Sequence, residues 1–303
     1  MKWKKLGRVF VANGRAPWAR THAFLPTPIL RPDGNIRVYA AFLDRDRVGR
    51  VGYVDVDGKN PRQVLGVSTR PVLEIGEQGT FDDNGVNPVS IVDYGGKKYL
   101  YYVGWQLGVK VRYYLFTGAA VSEDGGETFT RCRKAPVLDR SDAELYLRSA
   151  ANVHFDDGRW KMWYVAGSSW IEVNGRMVPS YKVRYLESPD GLTWAKEGRV
   201  CLGFGAADEF GFGRPYVIRR DGAYQMWYSI RTTTKGYRMG YAESPDGLDW
   251  DRKDAQVGID VSLTGWDSQM ICFGAIVQCA GGTFMFYNGN NYGATGFGVA
   301  VLE

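Results

Sequence analysis

Residues 158–164 read G-R-W-K-M-W-Y, and residues 188–194 read S-P-D-G-L-T-W. The first phrase is a turn glycine followed by a run of large apolar side chains, the composition of a strand packed among aromatic neighbours. The second is a hairpin turn. Its Ser and Asp side chains bond backbone amides, its Gly supplies a left-handed residue, and its Trp tucks between sheets. Both phrases recur. The first returns as G-N-I-R-V-Y ending at Tyr39, G-K-K-Y-L-Y-Y at Tyr102, G-A-Y-Q-M-W-Y at Tyr228 and G-T-F-M-F-Y at Tyr287. With Tyr164 in the series, the separations are 63, 62, 64 and 59 residues. The second returns as S-E-D-G-G-E-T-F at 122–129 and S-P-D-G-L-D-W at 244–250. The copy at 122–129 fits the Asp-box pattern S-x-D-x-G-x-T-[W/F], and the others are one residue shorter. Turn geometry accounts for these aspartates without catalysis.

A short apolar run precedes the aromatic phrase, as at 88–92, 152–155, 215–218 and 275–277, and a further strand follows it. Each repeat of about 60 residues therefore carries four strands, the content of one propeller blade. The last repeat shows only three, at 275–277, 283–287 and 296–302. The fourth is found at the other end of the sequence, where W-K-K-L-G-R-V at 3–9 echoes W-A-K-E-G-R-V at 194–200. The reading is an all-β, five-bladed β-propeller of four antiparallel strands per blade, a single domain over 1–303. The N-terminal strand completes the last blade and removes the exposed edges of a linear array.

Composition agrees. The 303 residues include 39 Gly and 14% aromatics, which suits many turns and aromatic strands and excludes helix bundles, coiled coils and disorder. The net charge of +5 is spread along the sequence, so no nucleic-acid partner is expected. Cys132, Cys201, Cys272 and Cys279 have no metal-ligand spacing, and there are two histidines, so no zinc site is expected. The N-terminus lacks an apolar h-region and no long uncharged apolar run follows. A cytoplasmic protein with free thiols and no membrane partner is the expectation.

In a propeller the innermost strands converge on one funnel, so residues at their starts share a cavity. Those positions offer His22, then Asp82, Asp83, Asn84 and Asn87, then Asp142, Glu144, Arg148 and Ser149, then Asp208, Glu209 and Arg214, then Asp267 and Gln269. Acids at matching places in four repeats, with a histidine in the fifth, point to a polar functional funnel. A duplicated structural turn acid is the competing account. Trp105, Trp170, Phe212 and Trp266 supply stacking platforms for a sugar.

The repeat count, the G-x-Y-x-M-W-Y and S-P-D-G-x-x-W phrases and the closing Y-N-G-N-N-Y-G-A-T-G-F-G-V-A resemble the five-bladed propeller glycosidase superfamily. That group holds the family 43, 32, 68 and 117 glycoside hydrolases and the family 130 mannoside phosphorylases. The likeness spans the whole sequence, rests mostly on scaffold motifs and is nearest to a branch of cytosolic glycosidase-like proteins. It implies two poised carboxyls, about 5–5.5 Å apart for retention or about 6.5–9.5 Å for inversion. Family 43 enzymes usually place an Asp at the start of blade one, where this sequence has His22. Arg45-Asp46 is similar to the R-D pair of families 32 and 68 but lacks the following Pro, and no role is carried over.

On this basis Glu144 is the expected general acid, and Asp83, or Asp82 beside it, the base. Asn84, Glu209, Asp267 and Trp105 would contact the sugar. His22, Arg148 and Arg214 would form a cationic corner suited to a carboxylate, phosphate or sulfate, with salt bridges to funnel acids as the alternative use of the arginines. The expected function is cleavage of a glycosidic bond. The alternatives are phosphorolysis with inorganic phosphate and a non-catalytic propeller that binds a glycan or sugar nucleotide. The expected ligand is a carbohydrate or sugar phosphate. No cofactor is called for, although so many oxygen donors are compatible with a Ca²⁺ in the axial channel.

Overall fold

The computed structural model describes residues 1–303, the side chain of Ser168 excepted. Its strands pair antiparallel in five groups of four. Blade one is β2 (Thr21–Leu30), β3 (Ile36–Leu43), β4 (Gly49–Val56) and β5 (Val64–Val67). Blade two is β6 (Val86–Tyr94), β7 (Lys97–Leu107), β8 (Tyr113–Ser122) and β9 (Thr130–Arg131). Blade three is β10 (Leu147–Asp156), β11 (Arg159–Val173), β12 (Arg176–Ser188) and β13 (Arg199–Leu202). Blade four is β14 (Glu209–Arg220), β15 (Ala223–Thr232), β16 (Arg238–Ser244) and β17 (Asp251–Arg252). Blade five is β18 (Cys272–Cys279), β19 (Gly282–Asn288), β20 (Phe297–Leu302) and β1 (Trp3–Phe10), with Trp3 opposite Leu302. Short parallel pairings, Leu147 with Leu115 and Tyr181 with Gly211, join blades two, three and four into one 12-stranded sheet.

The inner strands touch in the cyclic order β2, β6, β10, β14, β18 and back to β2. Every inner strand carries a bulge, and at three of them a non-glycine residue takes a left-handed conformation: Leu25, Ala150 and Phe273, with φ of 57, 54 and 58°. Such residues are costly and persist only where the surroundings fix them. Second strands are buried on both faces, which is why they read as nearly continuous aromatic runs.

Each hairpin turn seats against the blade before it. Ser188 Oγ meets Asp190 and accepts from Gly191 N, while Asp190 accepts from the amides of Leu192 and Thr193. Burial opposes ionisation of Asp190, but those amides outweigh it and hold its carboxyl at about 2. The turn then offers the Gly191 carbonyl to Tyr101 Oη at 2.8 Å, as Gly126 does to Tyr39 (2.9 Å) and Gly247 to Trp163 Nε1 (2.7 Å). Tyr39 therefore corresponds to Tyr101 and Trp163, one residue earlier in the repeat than the sequence phrase suggests. The place of Tyr102, Tyr164, Tyr228 and Tyr287 is taken in blade one by Ala40.

Those four tyrosines hold a carboxylate and a cation together. Tyr102 Oη donates to Asp82 (2.9 Å), which also binds Arg131 of β9 at 2.8 Å. Tyr287 Oη donates to Asp267 (3.0 Å), which binds Lys5 of β1 at 2.7 Å. Tyr228 Oη donates to Asp254, which shares Arg252 of β17 with Glu209. Tyr164 Oη lies 2.8 Å from both oxygens of Glu144, which also accept from Arg148 Nε (2.5 Å) and Gly198 N (2.9 Å). The third-strand residue facing the tyrosine is glycine in blade two, where a Cβ on Gly118 would fall 2.2 Å from the Tyr102 ring. In blade three Arg184 stands there instead, with Nη1 3.3 Å from Glu144. Blade one has neither the tyrosine nor the acid. Trp18 fills the space, 2.6 Å from where a Cβ on Gly52 would sit.

Because both oxygens of Glu144 face donors, Glu144→Gln turns an amide N–H₂ against one of them. Breaking a buried ion pair costs about 3–5 kcal/mol, so the variant is expected to unfold at markedly lower urea concentration. A general acid outside the scaffold would leave that midpoint unchanged. A second expectation concerns His154, whose ring meets Asn152 Oδ1 and packs edge-on to Trp163. Burial lowers its pKa from 6.5 to about 4. The unfolded chain then takes up a proton below about pH 6.5 that the folded state refuses until about pH 4. Stability is lost across that window, by up to about 3 kcal/mol from this group. Urea titrations at pH 7 and pH 4.5 should show a smaller difference for His154→Gln than for the parent protein.

Candidate functional site

The acids expected in the funnel are mostly inside the blades. Asp82, Glu144 and Asp267 are 0, 0 and 2% exposed, enclosed by the tyrosine and cation contacts above. Glu144, expected as general acid, Asp82, expected as an alternative base, and Asp267, expected as a sugar ligand, thus all have scaffold partners. Glu209 is likewise engaged, by both guanidinium nitrogens of Arg252 and by Gly205 N. Asp83 differs: it is half-buried in the turn before β6 and accepts from Gly79 N at 2.8 Å. Asn84 follows it, its amide bonded to the Trp105 carbonyl.

The expected cationic corner is not assembled, because its three members share no partner. Arg148 spends its donors on Glu144, the Asp139 carbonyl and the Ala195 carbonyl. His22, at the start of β2 with φ of 62°, meets Thr21 Oγ1, and burial with the nearby Arg47 lowers its pKa. Arg214 reaches from β14 to the Pro26 carbonyl and Thr27 hydroxyl of β2 and the Phe273 carbonyl of β18. Since β18 lies between β14 and β2 in the ring, this side chain crosses the interior. Its guanidinium occupies the converging carbonyls that an axial Ca²⁺ would need. Among the described residues no group of three or more His, Cys, Asp or Glu is placed to hold a metal. The axial channel does not fit that ion.

What the structure does bring together is an aromatic cluster fed by all five blades, at the end of the ring where inner strands start and second strands finish. Trp105 near the end of β7 packs on Tyr113 at the start of β8, with centroids 4.9 Å apart. Tyr113 packs on Trp170 of β11 (6.0 Å), and Trp170 on Tyr146 (6.3 Å). With the Asn87 amide turned to present its oxygen, Trp105 Nε1 donates to it at 2.7 Å. From blades four, five and one, Tyr237 packs on Phe273 and Tyr292 (both 5.6 Å), and Phe273 on Phe24 (5.1 Å). Arg231 of β15 joins the two halves. Its Nη1 donates to Tyr181 Oη at 2.7 Å and to the Pro179 carbonyl at 3.2 Å, and its guanidinium lies over the Phe210 ring at 4.4 Å. Burial pushes the Tyr113 phenol up to about 12, so it stays a donor at neutral pH.

Trp105 and Trp170 thus stand where a stacking platform is wanted. Phe212 is wholly buried on Tyr228, and Trp266 lies on Tyr287 inside blade five. Tyr113, Tyr181, Arg231, Tyr237 and Tyr292 were not singled out by sequence, because they lie at or after the ends of second strands rather than before inner ones. A groove of about 620 Å³ between blades one and two, lined by Arg70, Leu73, Phe129 and Lys134 among others, shares no residue with this cluster. No helix among the described residues is long and apolar enough to cross a membrane.

No protein-family profile matches the sequence. Over all 303 residues it is 38% identical to "Uncharacterized protein Rv1502" of Mycobacterium tuberculosis (strain ATCC 25618 / H37Rv), covering 100% of both proteins. Among solved structures, a "Glycoside hydrolase" superposes with a TM-score of 0.75 at 18% identity, covering 98% of this protein and 92% of the other. A BT0996–RGII complex gives 0.73 at 20% identity over 99% and 91%. A thermostable family-43 glycoside hydrolase gives 0.67 at 17% identity over 96% and 91%. This protein belongs to the family of Rv1502, and its fold, along its whole length, is that of the family-43-type glycoside hydrolases.

Proposed function

We propose that this protein is a carbohydrate-binding propeller, one closed five-bladed unit whose sugar ligand sits at the aromatic mouth of the ring. The observation that carries this reading is the cluster of Trp105, Tyr113, Trp170, Tyr181, Tyr237 and Tyr292. It combines ring faces for sugar C–H groups with phenol hydroxyls for sugar hydroxyls. Likeness in fold to glycoside hydrolases supports a carbohydrate ligand only by analogy, because fold and chemistry separate readily.

Turnover is the second reading, favoured by Asp83, which remains half-buried and outside the tyrosine–cation arrangements. Hydrolysis with two carboxyls needs a partner for it, and the cluster contains no carboxylate. Binding without cleavage is therefore the better-supported chemistry.

The test is a panel of aryl glycosides and manno-oligosaccharides, with and without phosphate, read by product release and by thermal stability. Binding raises the unfolding temperature as mass action requires. Tyr292→Ala, at a side chain 50% exposed, should weaken that effect about tenfold while leaving the ligand-free unfolding temperature in place. Phosphate-independent release abolished by Asp83→Asn would establish hydrolysis instead. Sugar 1-phosphate formed only with phosphate would establish phosphorolysis. A panel in which no sugar shifts stability or turns over rejects the reading.

A further inference from the structure

Arg231 is a half-buried guanidinium without a carboxylate. Its only hydrogen bonds among the described residues come from Nη1, to the Tyr181 hydroxyl and the Pro179 carbonyl, which leaves Nε and Nη2 without a protein acceptor. The rings around its guanidinium are those of Phe210, Tyr181 and Tyr237, with centroids at 4.4, 5.2 and 5.8 Å. The other arginines within the fold show how unusual this is. Arg37 has Asp55 and Glu127, Arg131 has Asp82, Arg148 has Glu144, and Arg252 has Glu209 and Asp254. Buried Arg214, which has no acid either, sits on three protein oxygens.

A second cation adjoins the cluster in sequence. Arg112, exposed in the β7–β8 connection, immediately precedes Tyr113. Arg231 is bonded to a phenol and a carbonyl rather than to a carboxylate, so the mouth sets a positive charge against polarisable rings. Desolvating a charge is expensive unless it is paired, and a guanidinium with two free donors presents the fork that matches an oxyanion.

Tyr292 is held over this place at a cost in backbone strain. Asn291 and Tyr292 are consecutive left-handed residues with φ of 53 and 57°. Asn290 pins their loop, its Oδ1 accepting from the amides of Gln269 and Met270 and its Nδ2 donating to the Gly265 carbonyl. Strain maintained by such anchoring accompanies ligand clamps, and here it sets a half-exposed phenol 5.6 Å from the Tyr237 ring.

Resting on the carbohydrate reading, we propose that the ligand is an anionic sugar, bearing a carboxylate or a phosphate. The oxyanion is received by Arg231 Nε and Nη2 with help from Arg112, and the sugar ring lies among Tyr113, Tyr181 and Tyr292. The recognised chemistry is a terminal oxyanion on a hexose, and two sources supply it: hexuronates and hexose phosphates.

Isothermal titration with hexuronic acids, hexose phosphates and the matching neutral methyl hexosides tests this. At least one anionic series should bind ten or more times more tightly than its neutral match, with an advantage that shrinks as salt rises. Arg231→Gln should erase most of that advantage, so that the anionic and neutral affinities of the variant converge, while Arg231→Lys should keep part of it. Should Arg231→Gln fail to fold, Arg112→Gln, at an exposed side chain, should reduce the advantage severalfold. Neutral and anionic sugars binding alike would overturn the proposal and leave the carbohydrate reading standing. An anion preference untouched by the Arg231 and Arg112 substitutions would overturn it as well. No binding by any sugar, charged or neutral, would remove both.

Discussion

The interaction on which the blades depend is the buried carboxylate held between a second-strand tyrosine and a cation. In blades two and five it links the segment entering the innermost strand to the outermost strand, so one ion pair spans the full width of the sheet: Asp82 to Arg131 and Asp267 to Lys5. Burial, reinforced by the adjacent carboxylate, raises the pKa of the Tyr102, Tyr164, Tyr228 and Tyr287 phenols, which keeps each one a donor. A carboxylate in such a place is costly alone and tolerable only when its lone pairs are filled. All its partners must therefore arrive together, and Lys5 makes that demand on the N-terminal strand. β1 is held in blade five by its ladder to β20 and by the charge that Asp267 requires.

Much of this architecture is legible in sequence, because it is repetitive. Aromatic strands and Ser-Asp-Gly turns recur at a spacing that leaves room for four strands, and the echo of 194–200 in 3–9 locates the outer strand of the last blade. The one slip of register, at Tyr39, arises because blade one lacks the feature that aligns the others: Ala40 replaces the tyrosine, so the neighbouring Tyr39 stands in for it in the pattern. The acids were equally legible, and their contacts favour the competing account, a duplicated structural acid. Recurrence in blades two to five goes with a task those blades share, which is holding themselves together. The sequence shows a carboxylate without showing its cation, since the partners of Asp82, Glu209 and Asp267 lie 49, 43 and 262 residues away.

The residues at the mouth escaped notice for the complementary reason. Arg231, Tyr237 and Tyr292 do not repeat. At the positions corresponding to Arg231 the sequence carries Trp105 in blade two and Asn290 in blade five, so no periodic signal announces a shared surface. Only folding shows that Tyr181 of blade three and Arg231 of blade four meet. Loops are free to diverge on a scaffold fixed by its strands, and divergence from the repeat was the better guide to the site.

The commitment of the recurring acids to the blades limits what chemistry a glycosidase fold can retain. The mouth is left with phenols, indoles and guanidinium groups. Tyr113 is pushed up to about 12 and an arginine stays charged, so neither exchanges a proton readily near neutrality. His22 is held toward its neutral form by burial and Arg47, and Asp83 and Asp208 are candidate carboxyls left half-buried outside the tyrosine–cation contacts. A site so composed is suited to gripping a ligand through ring faces, hydroxyl donors and one fixed positive charge. Proton transfer would have to come from a rim residue or from the ligand's own acid. Recognition and catalysis need different groups from the same funnel, and in this protein Asp82, Glu144, Glu209 and Asp267 are all held by scaffold contacts.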